Sequence, residues 1–105
     1  MLTLNIITRR KINQYCELYN PAAQSLRAWY YQVREERWEN PADIRQVYNS
    51  ADFIDDHRVI FNIKGNQYRL VVDVFYAYGK NNGTVLVRWF GNHIEYNQIN
   101  VRNVK

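Results

Sequence analysis

The residues best equipped for chemistry lie in the second half of the chain, and they are of the types that handle a phosphate ester. His93 carries the side chain that titrates nearest neutral pH, and Tyr96 stands three positions on with a hydroxyl. Arg69 offers fixed paired donors suited to a phosphate, with Lys64 and Arg88 as further cations. Asn62 and Asn66 can orient a polymer by hydrogen bonds, Tyr68 can stack on an unpaired base, and Arg58 adds another positive charge. Cleavage of a phosphodiester without a metal needs a base to activate an attacking hydroxyl, an acid to protonate the leaving oxygen and cations at the phosphate. His93, Tyr96, Arg69, Lys64 and Arg88 supply those types. His93, Tyr96, Arg88 and Asn66 also have structural alternatives: a core histidine, a tyrosine packing the last segment onto the sheet, an Arg88–Asp73 ion pair, and an asparagine placed at 66 because a tight turn tolerates it. His57 beside Asp55 and Asp56 reads as polar surface, since two acids and one histidine make no convincing metal site. No metal or organic cofactor is expected.

Charge is distributed unevenly along the chain. Residues 1–57 hold seven Lys or Arg against eight Asp or Glu, and residues 58–105 hold seven against two, so the halves carry about −1 and +5. A positive field confined to one region favours a polyanion or an acidic protein. Hydrophobic residues make up 47% of the 105, enough for one packed domain. The only cysteine, Cys16, forms no internal disulfide, and no apolar run approaches the roughly 18 residues of a membrane span. The short apolar stretch within Met1–Thr8 is followed, not preceded, by basic residues and does not read as a signal peptide. These features point to the cytoplasm.

The elements that must position the site can be read from periodicity. Leu2–Ile7 predicts a strand, with Thr8 able to cap the first helix. Ile12, Tyr15, Cys16 and Tyr19 fall at helical spacing, and Asn20-Pro21 opens a second helix to about Arg37 with Ala22, Leu26, Trp29, Tyr30 and Val33 on one side. Tyr30, Tyr31 and Trp38 are either core or part of a partner surface. Asn40-Pro41-Ala42-Asp43 starts a third helix ending near Tyr48, before a polar loop.

From Arg58 the period becomes two. Arg58–Lys64, Gln67–Tyr78 and Gly83–Phe90 predict an antiparallel meander, with Gly65-Asn66 as a two-residue turn and a loop at 79–82. That turn pairs Asn62 with Arg69 and Arg58 with Asp73. Pairing Tyr78 with Gly83 sets Asp73 opposite Arg88. Alternation sends Val59, Phe61, Ile63, Leu70, Val72, Val74, Val85, Val87 and Trp89 to the core, and the cations with Asn62 and Asp73 to the other side. That side is either a solvated sheet face or a groove for a phosphate backbone. Asn92–Lys105 reads as a turn or short helix followed by a strand or frayed end.

The run Arg58-Val59-Ile60-Phe61-Asn62-Ile63-Lys64-Gly65-Asn66-Gln67-Tyr68-Arg69-Leu70-Val71-Val72 is similar to the signature of HigB-type toxins of the RelE superfamily. Gly91-Asn92-His93-Ile94-Glu95-Tyr96 resembles their C-terminal Gly-x-His-x-x-Tyr element. Leu26–Tyr30 and Asn40–Ile44 look like the family's helical region, so the resemblance covers nearly the whole chain. It implies a RelE-like α+β fold, an antiparallel or mixed sheet with N-terminal helices on one face. It also implies a helix-turn-helix antitoxin partner of the HigA type and cleavage of mRNA, usually on the translating ribosome. The family often has Thr where Asn92 stands and Asp where Asn97 stands, and the loop before Gly83 is long. Across the wider superfamily only the arginine of Tyr68-Arg69-Leu70-Val71 carries over directly. The alternatives are a noncatalytic RNA- or DNA-binding module on the same basic face, and a subunit that only regulates a partner.

Overall fold

The computed structural model describes residues 4–7 and 9–105, without the side chain of Ile7. The expected start of the first strand at Leu2 and the Thr8 cap lie outside the described residues. A five-stranded sheet has the order β1-β5-β4-β3-β2, from β1 (Asn5–Ile7), β2 (Asp52–Phe53), β3 (Arg58–Ile63), β4 (Tyr68–Phe75) and β5 (Thr84–Asn92). β1 runs parallel to β5 and the other pairs are antiparallel, so the sheet is mixed. The two-residue β2, in what sequence alone presents as a polar loop, pairs with β3 at the sheet's edge.

Helices α1 (Arg9–Leu18) and α2 (Ala23–Val33) pack on one face, and a single 3-10 turn over Asn20–Ala22 separates them. Ile12 and Cys16 of α1 and Leu26, Trp29, Tyr30 and Val33 of α2 are buried, as an amphipathic stripe at helical spacing requires. They meet Val59, Phe61, Leu70, Val72, Val74, Val85, Val87 and Phe90 from the sheet in one core. The second helix ends at Val33, short of the expected Arg37. Trp38, beyond it, is only 1% exposed and stacks on Phe61 at 6.0 Å. Of the aromatics that could have formed a partner surface, Trp38 and Tyr30 are therefore core and Tyr31 alone is exposed. α3 (Pro41–Val47) begins where Asn40 accepts a hydrogen bond from the Asp43 amide at 3.2 Å, the N-cap expected of Asn-Pro.

The β3–β4 register agrees with alternation: Arg58 pairs with Asp73 and Asn62 with Arg69. The ladder closes at Ile63 and Tyr68, so four residues rather than two connect the strands, with Lys64 and Gly65 at positive φ. The β4–β5 register differs from expectation. Asp73 faces Leu86, and a bulge between Val71 and Val72 leaves Arg88 without a partner residue while Val72 pairs with Val87 and Val71 with Trp89. An extra residue reverses which side chains reach the core beyond it. Phe90, not Trp89, is accordingly the buried aromatic of β5.

The second face of the sheet is only partly open. Val71 and Ile60 are buried there outside the main core, beside Arg58 and Asp73 at 8% and 9% exposure. The chain after β5 crosses this face: α4 (His93–Tyr96) places Tyr96 against Trp89, with ring centroids 6.1 Å apart. Further on, Arg58 Nη1 donates to the carbonyls of Val101 and Val104. The last segment is thus a tied-down series of turns, neither a strand nor a frayed end.

Candidate active site at the end of the sheet

Where β5 ends, the backbone leads straight into α4, and a capping box holds the junction. The Asn92 side chain accepts from the Glu95 amide at 2.8 Å and the Asn92 amide donates to Glu95 Oε1 at 2.9 Å. The second carboxylate oxygen of Glu95 accepts from the Tyr19 hydroxyl at 3.1 Å, which ties the short helix back to the end of α1. Gly91 is required beside it. A Cβ there would lie 2.6 Å from the Trp89 ring and 3.0 Å from Glu95 Oε1. His93 is consequently the first residue of a clamped turn. Its backbone amide donates to the Gln67 carbonyl at 3.0 Å, fixing it against the β3–β4 connection.

Arg69 pairs with Gly91 across the β4–β5 ladder and so lies on the same face as this junction. Its Nη1 donates to the Asn66 carbonyl at 2.9 Å, and its Nη2 lies 3.2 Å from His93 Nδ1. Its guanidinium carbon sits 5.9 Å from the centre of the Tyr96 ring. A guanidinium can only donate, so in this contact Nδ1 is placed as the acceptor. The Asn97 side-chain amide nitrogen lies 3.5 Å from His93 Nε2. Burial first, and then the charge of Asp52, push the Tyr96 phenol above its ordinary value, against a smaller opposing effect of Arg69. It remains a protonated hydroxyl at neutral pH.

These three groups, Arg69, His93 and Tyr96, come together on an accessible part of the sheet. Lys64, Asn62 and Asn66 flank them on β3 and the connection: Lys64 and Asn66 are exposed, and Asn62 donates to the Ser50 carbonyl at 3.3 Å. The remaining three residues stand elsewhere. Arg88, released by the bulge, donates from Nε to Asp73 Oδ2 at 2.8 Å, four residues along β4 from Arg69. Arg88 therefore stands apart from Arg69 and His93, in the ion pair with Asp73 that was its structural alternative. Arg58 grips Asp73 through Nε at 2.8 Å and Nη2 at 2.9 Å, and with its last nitrogen spent on backbone carbonyls it holds the tail instead of an RNA. Tyr68 faces the helices, stacked on Phe90 at 5.4 Å and 3° and edge-on to Tyr19, so it is no base-stacking platform in this conformation. Among the described residues no group of three or more His, Cys, Asp or Glu side chains comes together as a metal site.

Sequence reasoning gave Glu95, Tyr19, Gly91 and Asn97 no role in the site. The signal for Glu95 was present in Asn92-x-x-Glu95, a capping-box spacing. Tyr19 joins it only through a contact across 76 residues of chain.

The mixed five-stranded sheet with helices on one face is consistent with a RelE-like fold. A family model for HigB toxins, described as the RelE-like toxic component of a toxin-antitoxin system, matches residues 22–99, and the chain belongs to that family. It is thus the toxin of a two-protein system and has an antitoxin partner. A search of curated proteins found no match. Among the described residues no helix is long and apolar enough to cross a membrane.

Proposed function

We propose that the chain is a metal-independent endoribonuclease that cuts mRNA at the Arg69–His93–Tyr96 cluster. The observation that carries this reading is the 3.2 Å contact between the Arg69 guanidinium and His93 Nδ1 on an accessible surface. When a phosphodiester enters, its nonbridging oxygens take the Arg69 donors, which frees the Nδ1 lone pair beside the bound phosphate. His93 then removes the proton from the 2′-hydroxyl, and the 2′-oxygen attacks phosphorus. The bond to the 5′-oxygen breaks, and that oxygen takes a proton from the Tyr96 phenol. The products are a 2′,3′-cyclic phosphate and a free 5′-hydroxyl. Lys64 adds positive charge at the phosphate, while Asn62 and Asn66 hold the flanking RNA.

The clustered basicity of residues 58–105 and the family's place in toxin-antitoxin systems support mRNA on the translating ribosome as the substrate and a helix-turn-helix protein of the HigA type as the antitoxin. Toxin freed from its partner is expected to cut RNA in the presence of EDTA, with ribosomes supplied, leaving cyclic phosphate ends. A single 2′-deoxy substitution at the cut position is expected to block the reaction. Cutting that persists with the deoxy substrate, or that stops with EDTA, rejects the mechanism. Binding without any cutting identifies a noncatalytic module.

A further inference from the structure

Some way along the same sheet face, the C-terminal turns and the bulge of β5 border an open cavity of about 470 Å³ lined by Arg58, Arg88, Arg102, Asn103, Val104 and Lys105. We propose that this cavity binds a second phosphodiester of the RNA, a few nucleotides from the one that is cut; the inference rests on the RNA-cleaving reading above.

Four cationic side chains line the cavity. Of the carboxylates beside them, Asp73 is held by Arg58 and Arg88, and Asp55 accepts the amides of His57 and Arg58 at Oδ1. The cations differ in what they can still offer. Arg58 is saturated and forms the floor. Arg88 uses only Nε, on Asp73, and among the described residues its two terminal nitrogens have no partner. Arg102 spends one nitrogen on the Ile54 carbonyl at 3.2 Å, and the Lys105 ammonium makes no hydrogen bond among the described residues. The donors left over are planar and point-charge groups of the kind that surrounds a tetrahedral oxyanion. The volume exceeds that of one phosphate and leaves room for an attached sugar.

Position favours RNA over an acidic protein. Asp73, which holds Arg88, lies four residues from Arg69 on β4, hence about 13 Å away along the strand. Both sites face the side of the sheet opposite the helices, so a backbone leaving Arg69 along β4 reaches the cavity within a few nucleotides. Alternation from Val85 and Val87 puts Arg88 on this face, and the bulge brings Trp89 beside it.

The test compares wild type with R102Q/K105Q, using two RNAs blocked by a 2′-deoxy residue at the cut position. One spans only the nucleotides beside the cut and the other extends several nucleotides on each side. Wild type is expected to bind the longer RNA more tightly and with a steeper dependence on salt. The double variant is expected to lose that advantage, its log–log salt slope falling by about 0.7 for each phosphate contact removed, while cutting of an unblocked short RNA is unchanged. Because Arg102 also anchors the tail, K105Q alone is measured alongside melting temperature, and a reduced slope is expected there too. An undiminished length advantage in both variants overturns the proposal. So does a variant that binds RNA normally but loses affinity for the antitoxin, which would assign the cavity to protein carboxylates. Wild type that neither cuts nor binds either RNA instead refutes the RNA-cleaving reading itself.

Discussion

His93 meets Arg69 through Nδ1, and in the proposed mechanism a phosphate enters at that contact. Because His93 is exposed and among the described residues its ring bonds only to Arg69 and Asn97, replacing it should leave the fold intact. His93→Ala is expected to slow RNA cleavage by about 10² to 10⁴, the usual worth of one proton-transfer group, with an unchanged melting temperature. A large drop in stability in that variant would show the imidazole to be structural. Arg69→Lys keeps the charge but loses the paired donors and should recover little of the rate lost in Arg69→Ala. Arg69 and His93 were legible in the sequence from residue type and motif. Tyr68 shows the limit of motif reading, since its parity with Leu70 and Val72 puts it on the helix side and its neighbour Arg69 on the open one.

The capping box at the start of α4 is the smallest element on which the account depends. Asn92→Ala removes the side-chain acceptor for the Glu95 amide and is expected to cost about 0.5–2 kcal/mol of stability, measurable by denaturant titration, and to lower cleavage as His93 loses its fixed place. Asn92→Thr, which restores a capping oxygen and the residue the resemblance leads one to expect, should recover both. Alternation and the Gly65-Asn66 signal sufficed for the β3–β4 register, because every side chain there has an unambiguous face. They failed for β4–β5. In Val85-Leu86-Val87-Arg88-Trp89-Phe90 either aromatic can serve as the next core residue, and nothing local shows that Arg88 will be extruded. The two-residue β2 is too short to display a period.

Across the whole molecule, Asp73 joins β3, β4, β5 and the C-terminal turns, since both arginines that grip it reach different parts of the chain. No sequence pattern could show that Arg58 would hold residues more than forty positions away. Burial pushes the Asp73 carboxyl upward, but hydrogen bonds and charge from Arg58 and Arg88 outweigh it and hold the group below its ordinary value of 3.8. A depressed carboxylate stabilises the fold above the unfolded value, and that contribution disappears as pH falls through the lower folded one. Acid unfolding is therefore expected to set in below pH 3.8, and Asp73→Asn should remove this part of the pH dependence while destabilising the protein at neutral pH by about 3–5 kcal/mol, the cost of leaving buried guanidinium charge unpaired. A variant as stable as wild type would contradict that role for Asp73.

The proposed chemistry at the sheet's open end is tested most directly by single-turnover cleavage of one defined RNA by wild type, H93A, R69A and the double variant, at matched folding. If imidazole and guanidinium act as one unit, each single change removes most of the rate and the double variant is little worse than either. Cleavage by H93A at the wild-type rate would contradict the account.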